Sequence, residues 1–357
     1  MKKHIVPVLN IILSVIIVAG VGFVIYNGVF KNKEKPETVT ETAATAVSET
    51  ARVRTTGEHF KIGVVQHTDL PTSQKCYEGF LDRFRNMGVF EDLEFDYVFE
   101  ANKDKCKTEI ERLSKSDCDL IFTIGQYASE TASQIVTDIP VVFADVEEPE
   151  EFSSVASNEV PGGNMTGVST YTPCFEQIDL IPLLLPDVKK VGSIYCLTDK
   201  TAVTQAYVAE KEAEENQKLE FESYTILSSD DIEDVLDDIG EDKIEALYLP
   251  TDEMVFGNID EIIKFCNEKK IPVICADEPT LKAGGFATCL INYSSVGEKS
   301  ANLAYSILYE KKQAGTLPIV YTFDCFNYVN QNAVSALGVT IPGEALNSVE
   351  LRKYDAM

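Results

Sequence analysis

The chain has 357 residues, enough for one large or two ordinary domains, because single hydrophobic cores stop growing at about 250–300 residues. Hydrophobic residues make up 45% of it and charged residues 25%, which is typical of a globular protein. The formal net charge of −27 repels phosphate backbones and anionic lipid. Nucleic acid is therefore not expected as a partner, and attachment to a membrane would require a hydrophobic anchor.

The N-terminal 57 residues predict such an anchor followed by a spacer. Residues 5–29 form an almost unbroken apolar stretch that is long enough to span a bilayer as a helix. This stretch exceeds the hydrophobic core of a cleaved signal peptide. Residues 31–57 are rich in Thr, Glu, Ala and Val and predict a flexible linker. We therefore expect residues 1–30 to be an anchor in the cell membrane, with a cleaved signal as the alternative, and the folded body to be extracytoplasmic.

From Lys61 onward, short apolar runs rich in β-branched residues alternate with longer amphipathic stretches. Runs that are apolar on both faces are typical of parallel strands covered by helices on each side. The strand candidates are residues 62–66, 93–98, 120–124, 141–144, 191–196, 219–224, 246–249 and 273–276. The helix candidates are residues 73–87, 105–116, 130–137, 176–185, 206–217, 229–239 and 259–269. The series occurs twice, which predicts an α/β fold of two doubly wound parallel-sheet lobes joined by a hinge.

Catalysis and cofactor binding are not expected. The nine cysteines form no Cys-x-x-Cys pair and there are only three histidines, so we predict no metal site. Several cysteines lie in apolar runs, as small buried hydrophobic residues do. No Gly-rich phosphate motif follows a predicted strand, and His67 is the only histidine within the strand–helix body, without a nucleophile elbow. We therefore predict a protein that is not an enzyme and has no cofactor.

Polar loops follow the predicted strands, at the ends where open parallel sheets bind ligands. Asp252 and Asp277 could hold a ligand amino group, or they could cap the helices that follow. Ser169 and Thr170 could bind a carboxylate, or form a hinge turn. The candidate ligand-binding residues are Gln66, Asp69, Gln126, Tyr127, Asp145, Ser169, Thr170, Tyr171, Thr251, Asp252 and Asp277.

Three further loop features have two interpretations each. Asp69 is either a ligand contact or an N-terminal helix cap. Tyr127 could stack on an aromatic side chain or close the edge of its domain. Glu147 and Glu148 are more typical of a solvated turn than of a site.

A set of short segments resembles the ABC transporter substrate-binding family that is typified by tryptophan- and tyrosine-binding proteins of Gram-positive bacteria. The resemblance depends on the order and spacing of the segments and covers residues 61–342. The segments are IGVVQ at 62–66, EGF at 78–80, IPVVFA at 139–144, GNMTGVS at 163–169, KVG at 190–192, LPTD at 249–252, NY at 292–293, ALGV at 336–339 and IP at 341–342.

The resemblance implies a type I periplasmic-binding fold in which the chain crosses between lobes three times. It places lobe one at residues 58–170 and 286–315, lobe two at 171–285 and 316–345, and a tail at 346–357. Four family patterns differ here: Glu-His-Pro reads Asp69-Leu70-Pro71, Thr-Pro reads Gln126-Tyr127, Thr-Asp-Pro reads Glu147-Glu148-Pro149, and Asn-Ser reads Thr201-Ala202. These differences fall in the predicted binding loops, which indicates the same scaffold with an altered ligand.

The function that the resemblance implies is capture of a small-molecule solute between the two lobes and its delivery to a permease. The solute is expected to be an amino acid, with an aromatic one as a candidate. The expected partners are the solute, the permease and ATPase subunits of an ABC importer, and the membrane through the N-terminal helix. The alternative is a membrane-tethered sensor that acts through a partner signalling protein.

Overall fold

The computed structural model describes residues 58–322 and 324–354. The predicted anchor and linker lie outside these residues. Within them, no helix has both the length and the apolar character needed to cross a membrane. The described chain divides into two compact units. The first unit comprises residues 58–171 and 291–324, and the second unit comprises residues 172–290 and 325–354.

Strands and helices alternate through most of the described chain. The strands are β1 (Phe60–Gln66), β2 (Leu93–Phe99), β3 (Leu120–Ile124), β4 (Val141–Val146), β5 (Met165–Ser169), β6 (Lys190–Cys196), β7 (Glu220–Ile226), β8 (Ala246–Leu249), β9 (Val273–Cys275), β10 (Ala287–Ile291), β11 (Val320–Tyr321), β12 (Cys325–Asn330) and β13 (Glu350–Arg352). The α-helices are α1 (Pro71–Met87), α2 (Lys103–Leu113), α3 (Gln126–Ile135), α4 (Cys174–Leu184), α5 (Lys200–Lys211), α6 (Ile232–Asp242), α7 (Glu253–Gly257), α8 (Ile259–Lys269), α9 (Glu278–Lys282), α10 (Tyr293–Leu308) and α11 (Gln331–Leu337).

The first unit is built on a six-stranded sheet with the strand order β11-β5-β4-β3-β1-β2. The pairs of β1 with β2 and β3, of β3 with β4, and of β5 with β4 and β11 are parallel. The strand order reverses between β1 and β3, which is the switch point where doubly wound sheets bind ligands. Ile62, Val64 and Val65 are fully buried, because helices cover both faces of this sheet.

The second unit repeats this arrangement with a seven-stranded sheet in the order β13-β12-β10-β9-β8-β6-β7. Its switch point lies between β6 and β8, and the pairs of β6 with β7 and β8, of β8 with β9 and of β9 with β10 are parallel. The prediction of an α/β fold with two parallel-sheet lobes is confirmed.

The unit boundaries differ from the predicted lobes at Tyr171, which belongs to the first unit, and at two longer segments. Residues 286–290 belong to the second unit rather than lobe one, because Phe286 is fully buried in its core and β10 pairs with β9. Residues 316–324 belong to the first unit rather than lobe two, because Ile319 is buried in its core and β11 pairs with β5.

The predicted tail is wrong for the residues that the structure describes, since Glu350–Arg352 forms β13 and pairs with β12. Val349 packs against the core of the second unit. The Arg352 guanidinium lies 3.6 Å from the centre of the Tyr328 ring, close enough for a cation–π interaction. Backbone pairing, an apolar contact and a ring contact thus hold this short polar sequence against the second unit.

The described cysteines differ in whether they form a disulfide. Cys289 in β10 and Cys325 in β12 form a disulfide across a sequence separation of 36. The other seven described cysteines are buried and form no disulfide. The interpretation of cysteines as small buried hydrophobic residues therefore holds for these seven, whereas no spacing pattern in the sequence indicates the pair.

Helices α1 and α10 pack backbone against backbone in the first unit. A Cβ atom on Gly79 would lie 2.2 Å from the carbonyl oxygen of Ser294, and one on Gly297 would lie 1.9 Å from the carbonyl oxygen of Cys76. Real Cβ atoms do not approach backbone this closely, so glycine is required at both positions. This close packing fixes the middle of α1 against the start of α10.

A carboxyl pair in the second unit joins α4 to the short π-helical segment Glu212–Gln217. The Gln217 Nε2 group donates hydrogen bonds to Asp179 Oδ1 at 2.6 Å and to Glu212 Oε1 at 3.3 Å. The pKa of Asp179 is raised to about 7, first by desolvation and then by the charge and hydrogen bond of Glu212. Asp179 is nevertheless solvent-exposed, so water weakens this effect on stability.

This pair predicts a pH dependence of folding. A carboxyl group whose pKa is raised in the folded state holds its proton more tightly there than in the unfolded chain. The free energy of unfolding should therefore fall modestly as the pH rises from about 4 to about 7. Asp179→Asn should flatten this slope in urea unfolding curves. Asp187→Asn, at an exposed position after the same helix, should leave it unchanged. An unaltered slope in Asp179→Asn would contradict the assignment.

Candidate functional site

Three loops at the carboxyl ends of β1, β3 and β4 in the first unit are joined by hydrogen bonds. We call the group Thr68, Ser73, Gln126, Asp145 and Glu147 the first-unit edge. It lies beside the switch point between β1 and β3, where a doubly wound sheet opens for a ligand.

Asp145 has an unusual backbone. The β4–β5 register shifts between Phe143 and Val146, and Asp145 has a φ of 59°, which few residues other than glycine adopt. Short polar side chains such as Asp and Asn tolerate this left-handed region best. Bulges of this kind redirect a side chain, and here the Asp145 carboxylate faces the start of α1.

The Asp145 carboxylate has a hydroxyl partner and no cationic one. Ser73, which is fully buried, donates to Asp145 Oδ2 at 3.1 Å, and the Ser73 and Thr68 hydroxyls are 2.6 Å apart. Burial raises the pKa of Asp145, and the Ser73 hydrogen bond opposes this effect only in part. No described basic side chain is within ion-pair distance of Asp145. A ligand cation would therefore find an uncompensated acceptor.

Glu147 is anchored through its backbone. Its amide N–H donates to Gln126 Oε1 at 3.3 Å, and its carbonyl accepts from the Ser169 hydroxyl at 3.1 Å. Desolvation raises the pKa of Glu147 to about 7, and the negative charges of Glu148 and Asp145 add to the rise. The side chain is still open to solvent, so water can screen it in part. Its carboxylate thus projects from a fixed backbone next to Asp145.

Two helices begin at the first-unit edge without a side-chain cap. The N-cap residues are Leu70 for α1 and Gly125 for α3, and neither provides a side-chain hydrogen bond to the first turn. First-turn N–H groups have no partner inside a helix, and they attract negative charge. The edge therefore combines an acceptor for a cation with donors for an anion.

The predicted residues Asp69, Gln126 and Asp145 lie at or beside this edge. Asp69 is exposed, and Leu70 rather than Asp69 is the N-cap of α1, so the capping alternative is wrong. Gln126 positions the loop that carries Glu147. Asp69 and Asp145 remain candidates for direct ligand contact.

Other predicted residues of the first unit already have partners. Gln66 is buried, donates to the Thr68 carbonyl at 2.8 Å and accepts from the Tyr97 hydroxyl at 3.2 Å. Ser169 donates to the carbonyl of Glu147, and the Thr170 N–H donates to the Val146 carbonyl at 2.8 Å. These bonds hold both residues at the end of β5, so the structure gives them structural partners there and shows no turn at residues 169–170.

The two predicted tyrosines have internal contacts as well. The Tyr127 ring lies 4.7 Å from that of His67, and the Lys103 ammonium lies 5.0 Å from its centre. The hydroxyl of Tyr127 donates to the Lys103 carbonyl at 3.1 Å. Tyr171 donates to Glu150 Oε1 at 3.1 Å and stacks on Tyr321. Both rings are held by protein groups, which makes them poor platforms for a ligand ring.

In the second unit, the predicted acids cap helices. Asp252 is buried and accepts from the N–H groups of Met254, Val255 and Cys196 at 2.9, 3.0 and 2.6 Å. Asp277 accepts from the Thr280 N–H at 2.8 Å, and the Thr251 N–H donates to Gln205 Oε1 at 2.8 Å. The structure therefore supports the capping alternative for Asp252 and Asp277.

Asp252→Asn should destabilise the second unit. The Asn side chain has one acceptor oxygen where Asp has two. Its NH₂ group would therefore face either the Cys196 N–H or the two N–H groups in the first turn of α7. The expected loss in the free energy of unfolding is about 1–3 kcal/mol, measured by urea denaturation. Asp230→Asn makes the same charge change at an exposed position and should have little effect. Equal stability of the two variants would contradict the cap.

Sequence reasoning missed Ser73, Thr68 and Tyr293. Burial first, and then the charges of Asp145 and Glu147, raise the pKa of the Tyr293 phenol. Tyr293 follows β10, a strand that the apolar pattern did not identify, so its loop was not considered. The sequence favours a solvated turn for Glu147, and the structure shows its side chain exposed and its backbone held by Gln126 and Ser169. Among the described residues, no group of three or more His, Cys, Asp and Glu side chains could hold a metal ion.

A model of the family described as ABC transporter substrate binding protein matches residues 61–351. The chain belongs to this family. Members of the family bind solutes, so the prediction that the protein is not an enzyme is confirmed.

The relatives of this substrate-binding protein agree with that assignment. A tyrosine-binding protein of Clostridioides difficile is 29% identical over 279 residues, covering 77% of this chain and 80% of the relative. The ligand-free, open structure of a substrate-binding protein with adhesive properties from Clostridium difficile has a TM-score of 0.76 and 25% identity, covering 83% of this chain and 100% of that one. An ABC domain from Streptococcus pneumonia in complex with L-Trp has a TM-score of 0.60 and 24% identity, covering 82% and 99%, and shows the same fold.

Proposed function

We propose that this substrate-binding protein captures an α-amino acid outside the cytoplasm and delivers it to the permease of an ABC importer. Family membership supports a solute-binding role. A relative named as tyrosine-binding and a fold neighbour in complex with L-Trp support an amino acid as the solute.

The single observation that carries the choice of an amino acid is the pairing of opposite binding groups at the first-unit edge. Asp145 lacks a cationic partner among the described residues and would accept a charge-assisted hydrogen bond from an α-ammonium group. The uncapped first turns of α1 and α3 would donate to an α-carboxylate. A zwitterion presents both groups on one carbon atom, which matches a site with both complements.

We further propose that the protein is held at the cell membrane by residues 1–30 and that residues 31–57 act as its tether. The apolar stretch at 5–29 and the polar composition after it support this arrangement. Tethering would keep the receptor close to its permease and raise the effective concentration of the pair.

Thermal unfolding of the full-length protein against a panel of amino acids, nucleosides and sugars tests the solute class. A ligand at 100 times its Kd stabilises a folded protein by about 2.7 kcal/mol, which raises the unfolding midpoint. We expect a rise with one or more α-amino acids and none with sugars or nucleosides. A rise with sugars or nucleosides alone would refute the proposal.

Delivery is tested separately by solute uptake into proteoliposomes that contain the permease and its ATPase. Uptake should require this protein and should disappear in a variant that does not bind the solute. Tight solute binding without any uptake would support the sensor alternative instead.

A further inference from the structure

The one disulfide of the described chain lies in the second unit, next to two of the points where the chain passes between the units. The chain leaves the second unit after Leu290 and re-enters it at Cys325. Cys289 in β10 directly precedes the first of these points, and Cys325 is the first residue of β12. The bond therefore joins the strand that leaves the second unit to the strand that returns to it. We call residues 286–292 and 324–330 the connecting strands.

Backbone hydrogen bonds flank the disulfide on both sides. The Asn330 N–H donates to the Phe286 carbonyl at 2.9 Å, and the Asn292 N–H donates to the Asp324 carbonyl at 2.8 Å. The connecting strands thus lie side by side and run in opposite directions, with the disulfide between the two hydrogen bonds. Without the disulfide, hydrogen bonds and packing alone would have to hold the two strands together.

The disulfide also closes a ring of chain that contains the C-terminal part of the first unit. Residues 290–324 lie between the two cysteines and include α10 and β11. A cross-link over a sequence separation of 36 restricts the unfolded chain and keeps the two ends of this segment together. The returning end has a second anchor, because the Asp324 carboxylate accepts hydrogen bonds from Lys299 and from the Ser295 hydroxyl in α10.

The two cysteines of the disulfide differ in their access to solvent. Cys289 is fully buried, whereas Cys325 is half-buried and stands between the exposed residues Asp324 and Phe326. Thiol–disulfide exchange begins when a thiolate attacks one of the two sulfurs, and its rate depends on access to that sulfur. A small reductant would therefore approach the bond from the Cys325 side.

The seven other cysteines are buried and form no disulfide. Burial raises the pKa of Cys106 to about 11 and that of Cys266 to about 12, and it also raises the pKa of Cys118. A thiol with a raised pKa keeps its proton at neutral pH and is a weak nucleophile. All nine cysteines of the sequence belong to the described residues, so a reductant has one disulfide to open.

We propose that the Cys289–Cys325 disulfide is a redox-sensitive clasp on the connecting strands, which a dithiol opens through Cys325. One thiolate of the dithiol bonds to the Cys325 sulfur and breaks the S–S bond, and the Cys289 sulfur leaves with the electron pair and takes up a proton. The second thiol of the dithiol then attacks the mixed disulfide, which releases Cys325 as a thiol and leaves the reagent as a cyclic disulfide. Two electrons and two protons pass to the protein, and the connecting strands become free to separate.

Reduction of the folded full-length protein with dithiothreitol tests the clasp. Alkylation with iodoacetamide, read by mass spectrometry, should modify Cys325 only after reduction. Peptides from the connecting strands should then exchange their backbone hydrogens at least about tenfold faster than in the oxidised protein, and peptides from β1 and β3 should not change. The unfolding midpoint should fall by roughly 10 °C, because reduction removes a constraint on the unfolded chain.

Two variants assign the response to this bond. Cys289→Ala/Cys325→Ser lacks the disulfide, and its connecting strands should exchange rapidly with or without dithiothreitol. Cys118→Ala removes a buried thiol that forms no disulfide and should respond to dithiothreitol as the unsubstituted protein does. The comparison of the oxidised and reduced unsubstituted protein tests the clasp even if the double variant does not fold.

Three results would overturn the clasp. Cys325 that stays unmodified after treatment with dithiothreitol would show that the reductant does not reach the bond. Unchanged exchange in the connecting strands after complete reduction would show that the bond does not hold them together. A response to dithiothreitol in the double variant would place the redox sensitivity elsewhere. None of these results depends on the solute, so the proposed function would stand without the clasp.

Discussion

Gly297→Val is expected to destabilise the first unit by about 3 kcal/mol or more, because overpacking against a rigid backbone cannot be relieved by a side-chain movement. The Cβ atom alone would lie 1.9 Å from the Cys76 carbonyl oxygen and 2.7 Å from the Phe80 nitrogen, both in α1. Either α10 moves away from α1 or the variant fails to fold. Hydrogen exchange read by mass spectrometry should show lost protection in both helices.

Gly257→Val is the matched control, since a Cβ atom at Gly257 meets nothing within 4 Å. It should change the free energy of unfolding by less than about 1 kcal/mol. Protection of α1 and α10 that is equal in the two variants would show that the helices do not pack as closely as described.

Asp145→Asn should weaken ligand binding without lowering the stability of the fold. The loss of a charge-assisted hydrogen bond should raise the Kd for an α-amino acid about 10- to 100-fold. Stability at neutral pH should stay equal or rise, because burial raises the pKa of Asp145 and so makes its ionised form unfavourable in the folded protein above about pH 4. Asn also tolerates the left-handed backbone at this position. Calorimetric titration and urea denaturation of the same preparation measure both effects.

Asp252→Asn provides the contrasting control. It should lower the stability of the second unit, because its carboxylate accepts from three backbone N–H groups. An Asp145→Asn variant that lost stability and kept its affinity would mean that Asp145 is structural and not part of the binding site.

Much of the fold could be predicted because its central strands are buried on both faces. Such strands are rich in apolar residues, many of them β-branched, as β1, β3 and β4 show. The apolar pattern does not predict β5, because Thr166, Gly167 and Ser169 resemble a loop in sequence although all three are buried in the structure. A Cβ atom at Gly167 would lie 2.3 Å from the Phe143 carbonyl oxygen, so β5 requires glycine at this position. In the sequence alone, the same glycine indicates the end of a strand.

The roles of the acids could be predicted only as alternatives. A strand followed by Asp is compatible with a helix cap or with a ligand contact, and the sequences around Asp145 and Asp252 do not distinguish them. The difference depends on parts of the chain that are distant in sequence. The Cys196 N–H, 56 residues away, donates a hydrogen bond to Asp252. By contrast, a bulge and a left-handed φ direct the Asp145 side chain toward Ser73. Contacts of this kind form only when the chain has folded.

The most direct test is the structure of the full-length protein with its amino acid bound. We expect the α-ammonium group at about 3 Å from the Asp145 carboxylate and the α-carboxylate at the first turn of α1 or α3. A solute that binds away from the loops after β1, β3 and β4, with Asp145 still bonded only to Ser73, would contradict the assignment of the first-unit edge as the binding site.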